Sequence, residues 1–291
     1  MKQITINDTD YLFRIGVRDD IDIRKSYNQL VNGIFEFDFE FWHEAGYWTD
    51  ANVPYVLIHN NQVVANVSVN HITFERGGVL FETVQLGTVC THPKHRNQGL
   101  IRFLMNQIFE AYNSDTTSFY LYANENVMDF YQQFGFNFVP ENQYRMKTEP
   151  CISTFSQINK KTLLQSLQYL RLLSEGNPYT AIAMKDNLGL LMFYLLGPFQ
   201  DYLYYSSSYN VLAVYDDVSG ILFDVFGKTK VSLDTVASEL SNAQSLVLGF
   251  MPYASLNVSK KSVNYDETAL FVRNQNPIFD GESCVPYLSH A

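Results

Sequence analysis

The chain has 291 residues with a formal net charge of −10, and 46% of its residues are hydrophobic. This composition supplies enough apolar side chains for a packed core, so it excludes a disordered or low-complexity protein. The negative charge argues against binding to the phosphates of nucleic acids and mildly favours a cationic ligand.

The first half of the chain alternates strand-like and helix-like patterns. Hydrophobic periodicity and turn signals predict, in chain order, strand 11–18, helices 21–35 and 38–48, strands 55–59, 63–74 and 79–91, helix 99–112, strand 119–123, helix 127–134 and a strand pair that ends near 147. Strands that alternate with helices indicate an α/β or α+β sheet domain.

The segment Glu149-Pro150-Cys151 is the predicted boundary between a domain of residues 1–150 and a second domain of residues 151–291. Beyond it, the patterns predict helix 160–174, strands 202–206, 211–216 and 221–226, helix 233–240 and strand 246–250. Their order is similar to that of the elements between 63 and 123, although no residue-level repeat is visible.

Cysteine usage and apolar segments bear on the compartment. Cys90, Cys151 and Cys284 form neither a CxxC pair nor a Cys/His cluster, so we expect no bound metal. The N-terminus contains no apolar run of the kind found in secretory signals, and the most apolar run, 188–196, is too short to span a bilayer. These features predict a cytoplasmic protein that does not bind membranes.

The most informative segment is Gly87–Met105 (GTVCTHPKHRNQGLIRFLM), in which a predicted strand crosses a basic loop and enters a helix. No Asp or Glu occurs between Gln85 and Gln107. The free N–H groups of a helix N-terminus bind anions, and Gly99 lets a phosphate approach the backbone closely. We therefore predict a pyrophosphate site; the alternative is a solvated basic turn with an ordinary glycine cap. The P-loop and dinucleotide fingerprints need more glycines.

Two runs carry a resemblance to a known family. The run HPKHRNQGLIRFLM resembles the acetyl-CoA signature of the GNAT N-acetyltransferases, Arg/Gln-x-x-Gly-x-Gly/Ala after a strand ending in Val-x-x-His-Pro. The run NENVMDFYQQFGF, residues 124–136, resembles the family's N-x-x-A-x-x-F-Y-x-x-x-G-F element. Ile101 departs from the family, because many members have Gly or Ala there. The basic-rich first motif is similar to that of the Eis-like branch, whose members carry a second, degenerate GNAT-like domain.

The resemblance implies a GNAT fold of the α+β (α/β) class, with a mixed central sheet flanked by helices in 1–150 and a degenerate GNAT-like domain in 151–291. It also implies an N-acetyltransferase that uses acetyl-CoA as cosubstrate and needs no metal. In the family, the strand before the motif splays from its neighbour and frees backbone groups for pantetheine. Carried over, the residues that bind acetyl-CoA would be Val89, Cys90, Thr91, Arg96, Asn97, Gln98, Gly99, Leu100, Ile101, Arg102, Asn124 and Asn126.

Tyr131 is the predicted general acid, because it matches the tyrosine of the family motif and a departing thiolate needs a proton. The alternative is a core aromatic in a cluster of Phe residues. Cys90 is interpreted as a buried small hydrophobe rather than a nucleophile. Asn126 has an alternative role as a helix cap.

The general base has several candidates. Glu82 lies on the strand that leads into the motif, and strand alternation predicts that it shares a face with Cys90; His71 and Glu75 are further candidates. In Eis-like enzymes the terminal carboxylate enters the catalytic site. The tail 285–291 has no charged side chain, so the carboxylate of Ala291 is a second candidate base; a frayed tail is the alternative.

The segment 35–48 combines acidic and aromatic residues and is the predicted acceptor loop. Its acids are Glu36, Asp38, Glu40 and Glu44. They predict a cationic small-molecule or peptide amine as acceptor, with the solvated face of a helix as the alternative. We expect the second half to shape the acceptor site or a homo-oligomer interface. The alternative function is a CoA-binding or interaction protein that has lost catalysis, consistent with Ile101 and the lack of an obvious base.

Overall fold

The described part of the chain folds into α-helices and two β-sheets. The computed structural model describes residues 1–113, 115–149, 151–263 and 268–290. The helices are α1 (Ile21–Phe35), α2 (Glu40–Glu44), α3 (Leu100–Ala111), α4 (Met128–Gln132), α5 (Lys160–Gln165), α6 (Leu167–Glu175), α7 (Leu188–Leu196) and α8 (Leu233–Leu240). The strands are β1 (Lys2–Ile6), β2 (Thr9–Ile15), β3 (Asn52–His59), β4 (Gln62–Arg76), β5 (Val79–Thr91), β6 (Phe119–Asn124), β7 (Asn137–Phe138), β8 (Glu141–Lys147), β9 (Phe155–Gln157), β10 (Ile182–Lys185), β11 (Leu203–Ser206), β12 (Val211–Asp216), β13 (Ile221–Phe226), β14 (Ser245–Leu248), β15 (Ser259–Val263) and β16 (Thr268–Arg273).

The first sheet carries the strand–loop–helix motif. Its strand order is β1-β2-β3-β4-β5-β6-β16-β7, and β10 pairs with the outer end of β4. Strands β5 and β6 are parallel, and the other pairs of this sheet are antiparallel. Helix α1 packs on one face and α3 on the other. This arrangement confirms the predicted α+β class with a mixed central sheet flanked by helices.

The second sheet has the order β15-β8-β14-β13-β12-β11-β9, with a parallel pair of β13 and β14. Two strands cross between the halves of the chain. Strand β8 lies between β14 and β15, and β16 lies between β6 and β7. We call this arrangement the strand exchange. Because it crosses residue 150 in both directions, the division into domains 1–150 and 151–291 stays a prediction.

The core follows from two strongly apolar elements. Every residue of β4 from Val63 to Asn70 is buried, as expected for a central strand that is covered on both faces. Helix α7 is buried from Gly189 to Leu196, as expected for a helix that is apolar all round. Among the described residues, no helix combines the length and hydrophobicity that a bilayer crossing requires.

Two predicted helices differ from the observed ones. The predicted helix 38–48 is reduced to the short α2. The predicted helix 160–174 breaks at Ser166, whose extended backbone ends α5 and whose hydroxyl accepts a hydrogen bond from the Tyr169 amide at the start of α6. The sequence patterns also missed α7, β1, β9, β10, β15 and β16.

Candidate functional site

A β-bulge interrupts β5 where it enters the motif. Thr88 and Val89 together face Val67 of β4, and Thr88 has a φ of 48°. The amide nitrogen of Asn66 donates a hydrogen bond of 2.8 Å to the carbonyl of Thr88 and holds the bulge. A bulge shifts the alternation of side chains along a strand. Cys90 therefore packs on the α1 face, whereas Leu86 packs on the α3 face.

The bulge corrects one prediction about the base. Glu82 precedes the bulge, so simple alternation does not put it on the face of Cys90. It is exposed and faces Thr73 near the outer end of β5. The other two candidates are also engaged elsewhere: the His71 ring contacts the Tyr112 hydroxyl at 3.0 Å, and Glu75 forms an ion pair with Lys185 at 3.1 Å.

Strands β5 and β6 separate soon after they meet. They pair only at Val84 with Phe119 and at Gln85 with Tyr120, although β5 continues to Thr91. The space between them is a cleft of about 710 Å³, which we call the strand cleft. Backbone N–H and C=O groups of a strand that has lost its neighbour are free to pair with an extended ligand.

The basic loop closes one end of the strand cleft. Gly99 has a φ of 79° and is the N-terminal cap residue of α3, without a side-chain hydrogen bond to the first turn. A Cβ atom at Gly99 would meet nothing within 4 Å, so the space in front of this helix end is open. The first turn of α3 contains no acidic residue. Its exposed N–H groups and positive dipole end form an anion-binding surface.

Residues from the first hairpin hold this loop in place. The hydroxyl of Tyr11 donates a hydrogen bond of 2.7 Å to the side chain of Gln98, and the amide of Asn7 donates one of 3.0 Å to the Gln98 carbonyl. Arg102 donates a hydrogen bond of 2.5 Å to the side chain of Gln133. Sequence reasoning missed Asn7 and Tyr11, because strand pairing, not sequence proximity, brings them to the loop.

Most of the residues predicted to bind acetyl-CoA meet in the strand cleft. Those that line it are Val89, Cys90, Thr91, Arg96, Asn97, Gln98, Gly99, Leu100, Ile101, Arg102 and Asn124. Asn126 is exposed, does not line the cleft, and does not cap α4, because Val127 is the cap residue. The contact of these residues with acetyl-CoA stays a prediction.

Tyr131 lies in the wall of the strand cleft opposite β5, with only 6% of its surface exposed. Its ring packs edge-on against Phe130 and Phe136, so it is also part of the core. Burial raises the pKa of Tyr131 to about 12. The phenol therefore keeps its proton at neutral pH and can act as an acid. Burial likewise raises the pKa of Cys90 to about 12, which disfavours a thiolate nucleophile.

A second cavity of about 260 Å³ lies beside the strand cleft, and we call it the aromatic pocket. Its walls come from both halves of the chain, with α1, the following loop and α2 on one side and α7 on the other. The two cavities share Phe35 and Thr88. The residues that line the aromatic pocket are Phe35, Phe37, Phe39, Trp42, Asn52, Asn70, Thr88, Leu190, Phe193, Tyr194, Pro198 and His290. Sequence reasoning missed the contribution of α7.

The acids of the predicted acceptor loop do not line the aromatic pocket. Glu40 accepts hydrogen bonds from Arg24 and from Asn28, the latter of 2.8 Å. Asp38 accepts a hydrogen bond of 2.9 Å from the Glu40 amide. Glu36 and Glu44 are exposed. Four aromatic residues of the loop line the pocket, namely Phe35, Phe37, Phe39 and Trp42. Its carboxylates face other protein groups or solvent.

The C-terminal tail packs between the two halves as far as it is described. The Tyr120 hydroxyl donates a hydrogen bond of 2.9 Å to the Ser289 carbonyl. The His290 ring stacks on Tyr122 with 3.8 Å between ring centroids, and burial lowers the pKa of His290 to about 4. Ala291, the predicted source of a basic carboxylate, lies outside the described residues. Within the described ranges, no group of three or more His, Cys, Asp or Glu residues is arranged to hold a metal ion.

Comparison with known proteins gives a family match over part of the chain and a shared fold over most of it. A family model described as an acetyltransferase (GNAT) domain matches residues 24–139. Among curated proteins, none is similar enough in sequence to count as a relative. A probable N-acyltransferase from Enterococcus faecalis V583 is 16% identical, with a TM-score of 0.56 over 90% of this chain and 72% of that chain. Eis1 from Mycobacterium abscessus is 13% identical, with a TM-score of 0.54 over 89% and 72% of the two chains. A GCN5-related N-acetyltransferase from Kribbella flavida is 12% identical, with a TM-score of 0.54 over 90% and 71%. At these identities the likeness shows a shared fold.

Proposed function

Because residues 24–139 match the GNAT acetyltransferase domain family, we propose that the protein transfers an acetyl group from acetyl-CoA to a primary amine, with Tyr131 as the general acid. One observation carries this proposal. The strand cleft has free strand backbone along one wall, a helix N-terminus without acidic residues at one end, and a protonated phenol in the opposite wall.

The residues of the strand cleft fit acetyl-CoA. Its pantetheine arm is an extended chain with amide groups, which can bind along the edge of β5 that faces away from β4, beyond the point where pairing with β6 stops. The pyrophosphate needs cationic and N–H partners, and the start of α3 offers both through its free amides, Arg96 and Arg102. Bound acetyl-CoA supplies the acetyl thioester.

Direct transfer needs one proton to move from nitrogen to sulfur. The amine nitrogen attacks the carbonyl carbon and the carbon–sulfur bond breaks. Tyr131 donates its phenolic proton to the departing sulfur. Water accepts the proton that the amine loses and returns a proton to Tyr131. Desolvation raises the pKa of Tyr131 and would also raise the pKa of the CoA thiol in the same cleft. The difference in pKa between the phenol that donates the proton and the thiolate that accepts it is then smaller than it would be for a solvated thiol.

The test compares two tyrosine-to-phenylalanine variants. We expect Tyr131→Phe to lower kcat by roughly 10²-fold, the usual scale of general-acid catalysis, and to leave the Kd for acetyl-CoA unchanged. Tyr55→Phe is the matched control, because Tyr55 is also buried but lies outside the strand cleft. The measurements are free-thiol release with an amine panel and calorimetric titration with CoA. An unchanged kcat for Tyr131→Phe returns Tyr131 to a purely structural role.

The second candidate function is CoA binding without catalysis. It is favoured by the absence of Asp and Glu side chains from the described walls of both cavities, which leaves no side-chain carboxylate in those walls to act as a base. Its signature is a rise in melting temperature with acetyl-CoA together with no thiol release for any amine of the panel.

A further inference from the structure

The aromatic pocket points to a substrate class. We infer that the acceptor is an arylalkylamine, a monoamine whose flat aromatic ring occupies the aromatic pocket while its amino group points into the strand cleft. This inference rests on the proposed function and names the amine that the site selects.

The rings of the pocket form a preorganised cage around Phe193 of α7. The centroid of Phe193 lies 5.5 Å from that of Phe39, 6.0 Å from that of Phe37 and 5.4 Å from that of Trp42. The indole nitrogen of Trp42 donates a hydrogen bond of 2.7 Å to the Gly189 carbonyl, which fixes the orientation of its ring. Aromatic rings prefer stacked or edge-on aromatic partners, and a cage already built of such contacts offers both.

Close packing between the two halves fixes the position of the cage. A Cβ atom at Gly189 would lie 2.8 Å from the Tyr47 carbonyl oxygen, and one at Gly197 would lie 2.6 Å from the Phe41 ring. Only glycine allows α7 to approach the α2 segment this closely. This packing therefore fixes the position of the α7 wall of the pocket relative to the α2 wall.

The charge of the walls excludes a polycation. Apart from His290, whose pKa of about 4 leaves it neutral, no side chain in the described walls of the aromatic pocket is ionisable near neutral pH. Burying several ammonium groups there would remove them from water without a carboxylate partner. A monoamine buries only its ring, because its single amino group stays at the mouth of the pocket.

The size of the pocket agrees with a ring and a short arm. An apolar cavity of about 150 Å³ holds a benzene molecule, and the aromatic pocket has about 260 Å³. The additional space accommodates a two-carbon arm or a second fused ring, whereas most of an oligosaccharide amine would lie outside the pocket.

The connection between the two cavities orients the amine. They meet at Phe35 and at Thr88, the residue of the β-bulge next to the unpaired edge of β5. A ring that lies in the pocket against Phe37, Phe39 and Phe193 therefore directs its arm toward the wall where the thioester is proposed to lie. Partial desolvation at this mouth lowers the pKa of the ammonium group and favours the neutral amine that attacks.

The test measures kcat/KM at saturating acetyl-CoA for 2-phenylethylamine, n-butylamine and spermidine. We expect at least tenfold higher kcat/KM for 2-phenylethylamine than for either of the others. Phe37→Leu should lower the value for 2-phenylethylamine at least fivefold, with little change for n-butylamine or in the KM for acetyl-CoA. Phe81→Leu is the matched control: Phe81 is also half-buried, but it lies near the outer end of β5 and lines neither cavity, so we expect a change of less than twofold.

The outcomes separate this inference from the proposed function. Equal or higher kcat/KM for n-butylamine or spermidine overturns the arylalkylamine inference and leaves acetyl transfer intact. A Phe37→Leu variant that behaves like Phe81→Leu also overturns it. Acetyl-CoA binding without acetylation of any amine refutes both the inference and catalysis, in favour of the CoA-binding alternative. Neither binding nor acetylation refutes the whole proposal.

Discussion

Gly99 offers a direct test of the anion site, because two effects of substitution can be measured separately. Its backbone conformation predicts a loss of stability, and its position in front of the helix end predicts a loss of affinity for acetyl-CoA. Its φ of 79° lies in the left-handed region, whereas nothing lies within 4 Å of a Cβ atom built there. Gly78, in the turn between β4 and β5, has nearly the same geometry, with a φ of 80° and the same open space. Gly78→Ala is therefore a matched control for Gly99→Ala.

Both alanine variants should lose stability by a similar amount. A non-glycine residue in the left-handed region costs about 1–2 kcal/mol. The entropy of unfolding of a chain of this length is about 0.6 kcal/mol per kelvin, so the melting temperature should fall by about 2–3 °C in each variant. Differential scanning calorimetry without ligand measures this loss.

The two sites should differ in acetyl-CoA affinity. A carboxylate at position 99 would face the pyrophosphate across about 4 Å, where two like charges repel by about 1–4 kcal/mol depending on solvent exposure. Gly99→Glu should therefore weaken binding by roughly fivefold to several hundredfold, whereas Gly78→Glu should leave the Kd for CoA unchanged. Isothermal titration calorimetry measures both. Tight CoA binding by Gly99→Glu would refute the assignment of the helix N-terminus as the pyrophosphate site.

Two further predictions concern buried groups. Burial raises the pKa of Asp224 from 3.8 to about 7, so folding takes up a proton between these values and the group lowers stability as the pH rises through this range. Asp224→Asn keeps an oxygen that can accept the Asn177 hydrogen bond but does not titrate. Between pH 4 and pH 8, the free energy of unfolding in urea should therefore rise by roughly 3–4 kcal/mol in the variant relative to the wild type. Parallel pH profiles of the two proteins would contradict this. Iodoacetamide at pH 8 should alkylate the exposed Cys151 in the folded protein. Cys90 and Cys284 should stay unlabelled until the protein unfolds, because both are buried and burial raises their pKa values. Peptide mapping that finds labelled Cys90 in the folded protein would argue against its burial.

Local patterns in the sequence predicted the parts of the site that are built from neighbouring residues. The bounds predicted for α1 and β5, 21–35 and 79–91, match those observed. Each has a strong local signal at its end, such as the Asp20 side chain that caps α1. The acid-free segment around Gly99 likewise identified the loop that lines the strand cleft, because its glycine, bases and helix start are adjacent in sequence.

Features that depend on distant contacts were not predictable in this way. Helix α7 is apolar on all sides, so it has no amphipathic period to detect. The bulge at Thr88 depends on pairing with β4, and it reverses the faces that simple alternation assigns beyond it. The acids of the 35–48 segment predicted a surface that binds a cationic acceptor, but Arg24, on a different helix, engages Glu40. In each case a tertiary partner decides the outcome.

The strand exchange has a consequence for how the protein is made. Strand β6 ends at Asn124, and the strand that covers its free edge ends at Arg273, about 150 residues later. At a synthesis rate of about 5–20 residues per second, this edge waits roughly 7–30 s for its partner on the ribosome. Among the described strands, β7 pairs only with β16, and β8 waits for β14 and β15 in the same way. Unpaired strand edges invite aggregation, so this nascent chain passes through a long vulnerable interval, and the β6 wall of the strand cleft gains its neighbouring strand only after β16 has been synthesised.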